Sequence, residues 1–203
     1  GQTSPAGGAR MSIEVFKPVE KYSDVDVETW IIPGKGANFP RGYEMYKGGQ
    51  LVAKAICNWA LVDTVTGKLI ASKDYDMGTY SMDEAPELSI PRRFRIPKEL
   101  KFQEVESSKV AMSMIDINMH MNNTVYASKL YDNIDDAEKY FITSINLRYV
   151  HEAPLGSEFK VYRSDAVDPG EMDCRAEKLV YFYTEADGLL NLEAAVGLKK
   201  VII

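Results

Sequence analysis

The sequence predicts an α+β fold in which antiparallel strands outnumber helices. Three observations support this: apolar and polar residues alternate along much of the chain, glycine-containing turns join neighbouring segments, and one long stretch, 124–133, has helical spacing. With 203 residues, 45% of them hydrophobic, the chain is long enough to bury a sizeable core.

Strand patterns dominate the first hundred residues. The segment 47–50, Lys-Gly-Gly-Gln, predicts a hairpin turn because glycine adopts positive φ at little cost. A second turn is predicted at 63–67. Residues 73–101 contain three prolines and little periodicity, which predicts a linker. The predicted strands of this half are 11–16, 25–32, 43–46, 51–62 and 68–71.

The second half predicts a strand, a helix and then further strands. Asn122 and Asn123 are good N-cap residues for a helix from Thr124 to about Asn133, and a short helix follows Asp135. The predicted strands are 110–122, 143–152, 159–165, 172–184 and 189–201, with a hairpin turn at 185–188. A faint similarity between 43–71 and 175–203 suggests two copies of a sheet-plus-helix unit. The expected organisation is a flexible lead or linker at 1–10, one unit at 11–72, a linker at 73–102 and a second unit at 103–203.

Composition excludes several classes of function. The net charge of −6 argues against a general nucleic-acid footprint, and no apolar stretch reaches the length of a membrane span. Cys57 and Cys174 fall in predicted strands, so we expect buried free thiols in a reducing, cytoplasmic environment, although the sequence also permits a disulfide. Two histidines and no Cys-x-x-Cys motif predict that no metal is bound.

The segment 116–123 carries the strongest functional pattern. Its sequence, Asp-Ile-Asn-Met-His-Met-Asn-Asn, alternates strictly between polar and apolar residues. Read as a strand, it aims four polar side chains at one patch just before a helix: Asp116, Asn118, His120 and Asn122. Burying such a cluster costs free energy unless each group finds a partner, which favours a functional site over a turn that only precedes a helix. The turn alternative stays open, since Asp and Asn are common turn formers.

This segment resembles the D-x-N-x-H-x-N-N element of the acyl-acyl carrier protein (acyl-ACP) thioesterases, a family with a double hot dog fold. The segment 145–156 is similar to the family's strand with a Tyr, a Glu three residues later and then a Gly, and 27–30 and 55–63 resemble its first unit. The resemblance implies two tandem hot dog units, with the catalytic groups in the second. It implies release of free fatty acid from acyl-ACP in fatty acid biosynthesis. The first unit is expected to be incomplete, without its helix, because nothing before Met11 matches the family's strand and long helix.

By resemblance, the catalytic positions are Asp116, Asn118, His120 and Glu152. Glu152 is favoured as the general base because an apolar cleft raises the pKa of a carboxylate toward neutrality. His120 would hold or polarise the water, and the two roles are exchangeable. Asn118 would bind the water or the thioester oxygen, and Asp116 would orient Asn118 or His120. The residue after Glu152 is Ala153, so no cysteine nucleophile is expected there.

The start of the predicted helix, Asn122, Asn123 and Thr124, is expected to bind substrate, because free N–H groups and the helix dipole stabilise a developing negative charge. Water is the nucleophile, so no cofactor is expected. The expected partners are a fatty acyl thioester, an acyl carrier protein and a second copy of the chain. A basic cluster offers an acidic carrier a docking surface unless it is a solvated linker: Arg92, Arg93, Arg95 and Lys98. The alternative functions are an acyl-CoA thioesterase and a non-catalytic acyl-binding module.

Overall fold

The computed structural model of the chain describes residues 9–61, 63, 65–74, 78 and 82–201. One α-helix, α1 (Asn123–Asp132), and nine strands lie within these residues: β1 (Arg10–Val15), β2 (Asp26–Ile31), β3 (Phe39–Lys47), β4 (Gln50–Trp59), β5 (Phe102–Lys109), β6 (Tyr140–Tyr149), β7 (Glu158–Ser164), β8 (Lys178–Ala186) and β9 (Leu189–Lys200). Short 3-10 helices occupy Ser72–Asp74, Met112–Met114, Ala137–Lys139 and Gly170–Met172. No helix of the described part of the chain is long and apolar enough to cross a membrane.

All nine strands form one antiparallel sheet in the order β2-β3-β4-β1-β6-β9-β8-β7-β5. The first strand of the chain therefore lies inside the sheet. β1 pairs with β4 on one side and with β6 on the other, and so joins the strands of the first half to those of the second. The predicted class, an α+β fold dominated by an antiparallel sheet, is confirmed.

The two faces of the sheet are covered by different parts of the chain. Along β8, Val180 and Phe182 belong to the core that includes Leu130 of α1. The alternate residues of β8, Leu179 and Tyr181, pack instead against Phe94, Ile96, Leu100, Phe102, Val167 and Met172. Because successive side chains of a strand point to opposite faces, α1 covers one face, and Phe94, Ile96 and Leu100 of the irregular segment 82–101 lie on the other.

Local turn and capping signals predicted several elements correctly. Gly48 and Gly49 have φ values of 56° and 76° in the turn between β3 and β4, where Lys47 pairs with Gln50. A two-residue turn with positive φ matches the twist of the flanking strands, which explains this hairpin. The predicted helix and the turn between the last two strands are also present, the latter with Asp187 and Gly188 at positive φ.

The strand predicted at 110–122 is wrong. That segment contains a 3-10 helix and a tight turn, and the strand is β5, which ends at Lys109. β5 was not predicted from the sequence for two reasons. It lies at the edge of the sheet, where it pairs only with β7, and its pairing has a register shift between Glu104 and Glu106. An edge strand needs few apolar residues, and a bulge breaks the alternation that reveals a strand.

Two other strand predictions are only partly correct. The segment 68–71 has a single bridge residue, Leu69, rather than a strand, and the strand predicted from 172 begins at Lys178. Cys57 is buried in β4 as expected, but Cys174 is exposed and lies before β8. Both cysteines are free thiols.

Candidate active site

The segment Asp116–His120 is a tight turn rather than a strand. The Asp116 N–H donates to the His120 carbonyl at 2.9 Å, and an Asp116 Oδ1 oxygen accepts the Asn118 N–H at 2.8 Å. Met119 takes a left-handed conformation with φ of 65°, which reverses the chain. Local bonds from an aspartate to nearby backbone compete with strand formation, so the polar-apolar alternation was misleading here. Ile117, expected on an apolar face, is 96% exposed.

This turn pairs with the segment that follows β6. The Met121 N–H donates to the Ala153 carbonyl at 2.8 Å, and the Leu155 N–H donates to the Met119 carbonyl at 3.2 Å. His120 and Pro154 form an antiparallel bridge between these bonds. The pairing brings residues from before α1 and after β6 together, although they are far apart in the sequence.

His120 and Glu152 meet as a consequence of this pairing. His120 Nε2 lies 3.3 Å from Glu152 Oε2, with exposed side-chain fractions of 33% and 70%. A histidine held by a carboxylate is a common arrangement for general acid-base chemistry, because the carboxylate fixes the ring and its tautomer. The prediction that Glu152 lies in an apolar cleft is wrong, since its side chain is mostly exposed.

Asp116 and Asn118 occupy other positions. The Asp116 carboxylate hydrogen bonds to the backbone of Asn118 and thereby shapes the turn that carries His120. The Asn118 side chain is exposed and has no hydrogen-bond partner among the described residues. The structure therefore joins two of the four predicted catalytic residues directly and relates the other two to them through the turn.

The N-terminus of α1 lies beside this turn. Asn122 is the N-cap: its Oδ1 accepts the Thr124 N–H at 2.9 Å and the Thr124 hydroxyl at 2.8 Å. The Asn123 N–H has no acceptor among the described residues, and the Asn123 carbonyl accepts the Tyr149 hydroxyl at 3.4 Å. A free N–H at the positive end of the helix dipole suits an anionic oxygen. Asn123 and Thr124 are both exposed.

Buried tyrosines lie behind the pair. Tyr126 packs edge-on against Tyr149, with ring centroids 5.6 Å apart. Burial, together with the nearby charge of Glu152, raises the pKa of Tyr126 to about 12 even though Asn191 donates a hydrogen bond to its hydroxyl. Burial also raises the pKa of Tyr149. Both phenols are therefore neutral near pH 7.

Sequence reasoning did not single out Asn191. Its side chain is fully buried in β9 and hydrogen bonds to the segment that leads to Glu152. Asparagine is uncommon in strands, and Asn191 lies between two leucines in an apolar strand. This pattern could have indicated a buried hydrogen-bonding role for it. No group of three or more His, Cys, Asp or Glu side chains in the described part of the chain is arranged to hold a metal ion.

Residues 98–182 match the family model for the acyl-ACP thioesterase C-terminal domain. This part of the chain is therefore similar to the C-terminal domain of that family. The matched segment contains the turn with His120, the helix α1 and Glu152, so the resemblance based on the motif is confirmed for this part of the chain. A search of the curated proteins found no match to the chain.

Solved thioesterase structures share the fold over nearly the whole chain. An acyl-ACP thioesterase from Bacteroides thetaiotaomicron has a TM-score of 0.76 and 21% identity, covering 95% of this chain and 75% of its own. A putative oleoyl thioesterase from Lactobacillus plantarum has a TM-score of 0.74 and 14% identity, covering 97% and 76%. The 12:0-ACP thioesterase from Umbellularia californica has a TM-score of 0.73 and 17% identity, covering 96% and 75%. At these identities the likeness establishes the fold of this chain.

Proposed function

We propose that this chain is a thioester hydrolase that releases fatty acid from acyl carrier protein, with His120 and Glu152 at its catalytic centre. The observation that carries this proposal is the 3.3 Å contact between His120 Nε2 and Glu152 Oε2, inside the segment that matches the thioesterase domain. The fold alone would not justify it, since one fold hosts many reactions.

In the proposed mechanism a water molecule attacks the thioester carbonyl. Glu152 accepts the Nε2–H of His120, which leaves the Nδ1 lone pair free to take a proton from the water. His120 is the better base in this arrangement, because the exposed Glu152 lacks the apolar surroundings that a carboxylate base needs. The proton then passes to the departing thiolate, and the attacking oxygen becomes part of the fatty acid.

The negative charge that develops on the carbonyl oxygen needs hydrogen-bond donors. The free Asn123 N–H at the start of α1 supplies one, supported by the helix dipole. Asn118 is proposed to supply a second through its exposed side-chain amide. Asp116 fixes the turn that presents both Asn118 and His120, so its role is to position them. Thr124 lies next to the Asn123 donor and is proposed to contact the substrate.

Measuring free-thiol release from acyl-ACP tests this assignment. We expect His120→Ala to lower kcat by about 1,000-fold and Glu152→Gln to lower it by at least about 10-fold, because a base costs more to lose than the group that orients it. Glu138→Gln is the matched control, since Glu138 is exposed and forms no salt bridge with a described residue. A wild-type chain that binds acyl-ACP without releasing thiol would instead favour the non-catalytic module.

The sheet order is consistent with two proposed hot dog units that share one sheet. Strands β1 to β4 would form the first unit, 11–72, and strands β5 to β9 with α1 the second, catalytic unit, 103–203. Residues 73–102 would connect them, and Phe94, Ile96 and Leu100 of this segment pack on the face opposite α1. In this proposal the first unit has no α-helix among its described residues. The homodimer and the cytoplasmic location expected from the sequence stay predictions.

A basic surface supports the choice of a carrier-bound substrate. The basic cluster, Arg92, Arg93, Arg95 and Lys98, is exposed, and none of its members forms a salt bridge with a described residue. Burial, Arg148 and Arg93 lower the pKa of Arg10, and Glu193, which forms a salt bridge with Arg148, opposes this shift. Although the net charge of the chain is −6, the basic cluster thus offers an acidic carrier a positively charged surface.

Three substrates with the same acyl chain distinguish the carrier from coenzyme A. We expect Arg93→Glu to raise KM for acyl-ACP by about 10-fold and to leave KM for acyl-pantetheine unchanged, because the latter has neither the acidic protein nor the CoA phosphates. Lys109→Glu, at the edge strand β5, is the control. If Arg93→Glu raised KM for acyl-CoA as much as KM for acyl-ACP, the result would favour the acyl-CoA thioesterase. If KM changed for neither substrate, the result would reject the docking surface but not the proposed hydrolase.

A further inference from the structure

A buried hydrogen-bond network holds the two residues that precede Glu152. At its centre is Asn191 in β9, whose side chain is fully buried. Its Nδ2 donates to the His151 carbonyl at 2.5 Å and to the Tyr126 hydroxyl at 3.0 Å, and its Oδ1 accepts the Thr184 hydroxyl at 2.7 Å. Both N–H donors and the oxygen of this amide are therefore used, which makes it a rigid connector rather than an incidental polar residue.

The main chain of Asn191 fixes the same segment again. Its carbonyl accepts the Val150 N–H at 2.8 Å and the His151 N–H at 3.2 Å. His151 Nδ1 is also 2.7 Å from the carbonyl of Leu190. Val150 and His151, the two residues that precede Glu152, are thus held by three hydrogen bonds with Asn191 and by a fourth with Leu190.

We infer that Asn191 is a positioning residue for Glu152, which rests on the proposed function. Glu152 itself lies between two anchored segments: His151 is bound by Asn191, and Ala153 accepts the Met121 N–H from the turn that carries His120. The exposed carboxylate has little packing of its own to fix it, so its direction depends on the backbone on either side.

The bond to Tyr126 anchors the Asn191 side chain on the helix. Tyr126 lies in the first turn of α1, close to the free Asn123 N–H, and its hydroxyl accepts a hydrogen bond from Asn191. One amide thus connects the backbone before Glu152 to the helix that carries the proposed oxyanion donor. Asn191 acts on Glu152 through this backbone and does not contact substrate.

A double-mutant cycle between Asn191 and Glu152 tests this role. We expect Asn191→Leu to lower kcat by about 10- to 100-fold with little change in KM, because it misdirects Glu152 without altering substrate binding. In the Glu152→Gln background the same change should cost less than about threefold, because the group that Asn191 positions is already gone. Asn146→Leu is the matched control: Asn146 is equally buried, in β6, but bonds to Ser12.

Losses that multiply in the double variant would overturn the positioning role, as would an unchanged kcat in Asn191→Leu. If that variant does not fold, Thr184→Val replaces it, because it removes only the bond to Asn191 Oδ1 and keeps both Nδ2 bonds. We then expect a loss of about 3- to 10-fold in kcat that again disappears in the Glu152→Gln background. A Glu152→Gln variant with the same activity as the wild type would reject the proposed function. That result is distinct from the two outcomes that overturn the positioning role.

Discussion

Gly197→Ala should destabilise the protein severely, because no space exists for a methyl group at this point of the sheet. An added Cβ would lie 2.5 Å from Ser144 Oγ, 2.6 Å from Asp173 Oδ2 and 2.8 Å from Thr143 Oγ1. All three side chains are at most 1% exposed. The backbone of Gly197 lies in β9 and does not have positive φ, so the cost comes from these contacts alone.

The neighbours of Gly197 are poorly able to move aside. The Thr143 hydroxyl donates to Asp173 Oδ2 at 2.6 Å, and the Arg175 N–H donates to the other carboxylate oxygen at 3.0 Å. Forcing an extra methyl group into a packed site costs about 1–3 kcal/mol, and losing a hydrogen bond to a charged group costs about 1.5–3 kcal/mol. Together these give an expected loss of about 4 kcal/mol in the free energy of unfolding.

Urea unfolding followed by tryptophan fluorescence measures this loss. The double variant Gly197→Ala/Ser144→Ala should recover about 1 kcal/mol, because the Ser144 Oγ is the closest atom and has no hydrogen-bond partner among the described residues. A loss below about 1 kcal/mol in Gly197→Ala would refute the reasoning, since it would mean that the three oxygens yield without cost.

Three further predictions concern single side chains. Burial raises the pKa of Tyr126 to about 12, so the stability it contributes is complete below pH 10 and is lost as the pH rises toward 12. Tyr126→Phe should remove up to about 3 kcal/mol of that alkaline decline in a urea-unfolding series, and identical slopes would contradict this. Burial raises the pKa of Cys57 to about 11. Iodoacetamide at pH 8 should therefore modify only Cys174 in the native protein and both thiols in urea. Rapid labelling of Cys57 in the native protein would contradict its burial. Asn122→Ala removes the N-cap bonds to Thr124 and should cost about 1 kcal/mol in urea unfolding, whereas an unchanged midpoint would show that the cap contributes nothing.

Features that depend on short-range chemistry were predictable from the sequence. The Gly-Gly hairpin after Lys47 and the helix that begins after Asn122 each depend on a few adjacent residues, and both are present. The prediction of a strand at 110–122 failed because the pattern it used is not specific to strands. Alternation reports only a period of two, and it cannot distinguish a strand from a turn in which Asp116 captures a nearby backbone N–H.

The candidate site was predictable in composition but not in its connections. The resemblance to a known motif indicated His120 and Glu152, which lie in contact. It did not reveal how they meet, because pairing between 119–121 and 153–155 is a long-range feature that leaves no local trace. Asn191 was missed for the same reason: its partners come from β8, α1 and the segment after β6.

The proposed catalytic pair is built on two irregular segments rather than on strands, and this explains its supporting network. Segments outside a sheet have no ladder to fix their side chains, so other hydrogen bonds must set the distance between His120 and Glu152. On one side, Met119 is held at positive φ by bonds within the turn and to Leu155. On the other, Asn191 holds the backbone before Glu152. A chain that shares the fold but has neither anchor would keep the sheet and lose the contact between His120 and Glu152, so the proposed site depends on these backbone bonds rather than on the fold.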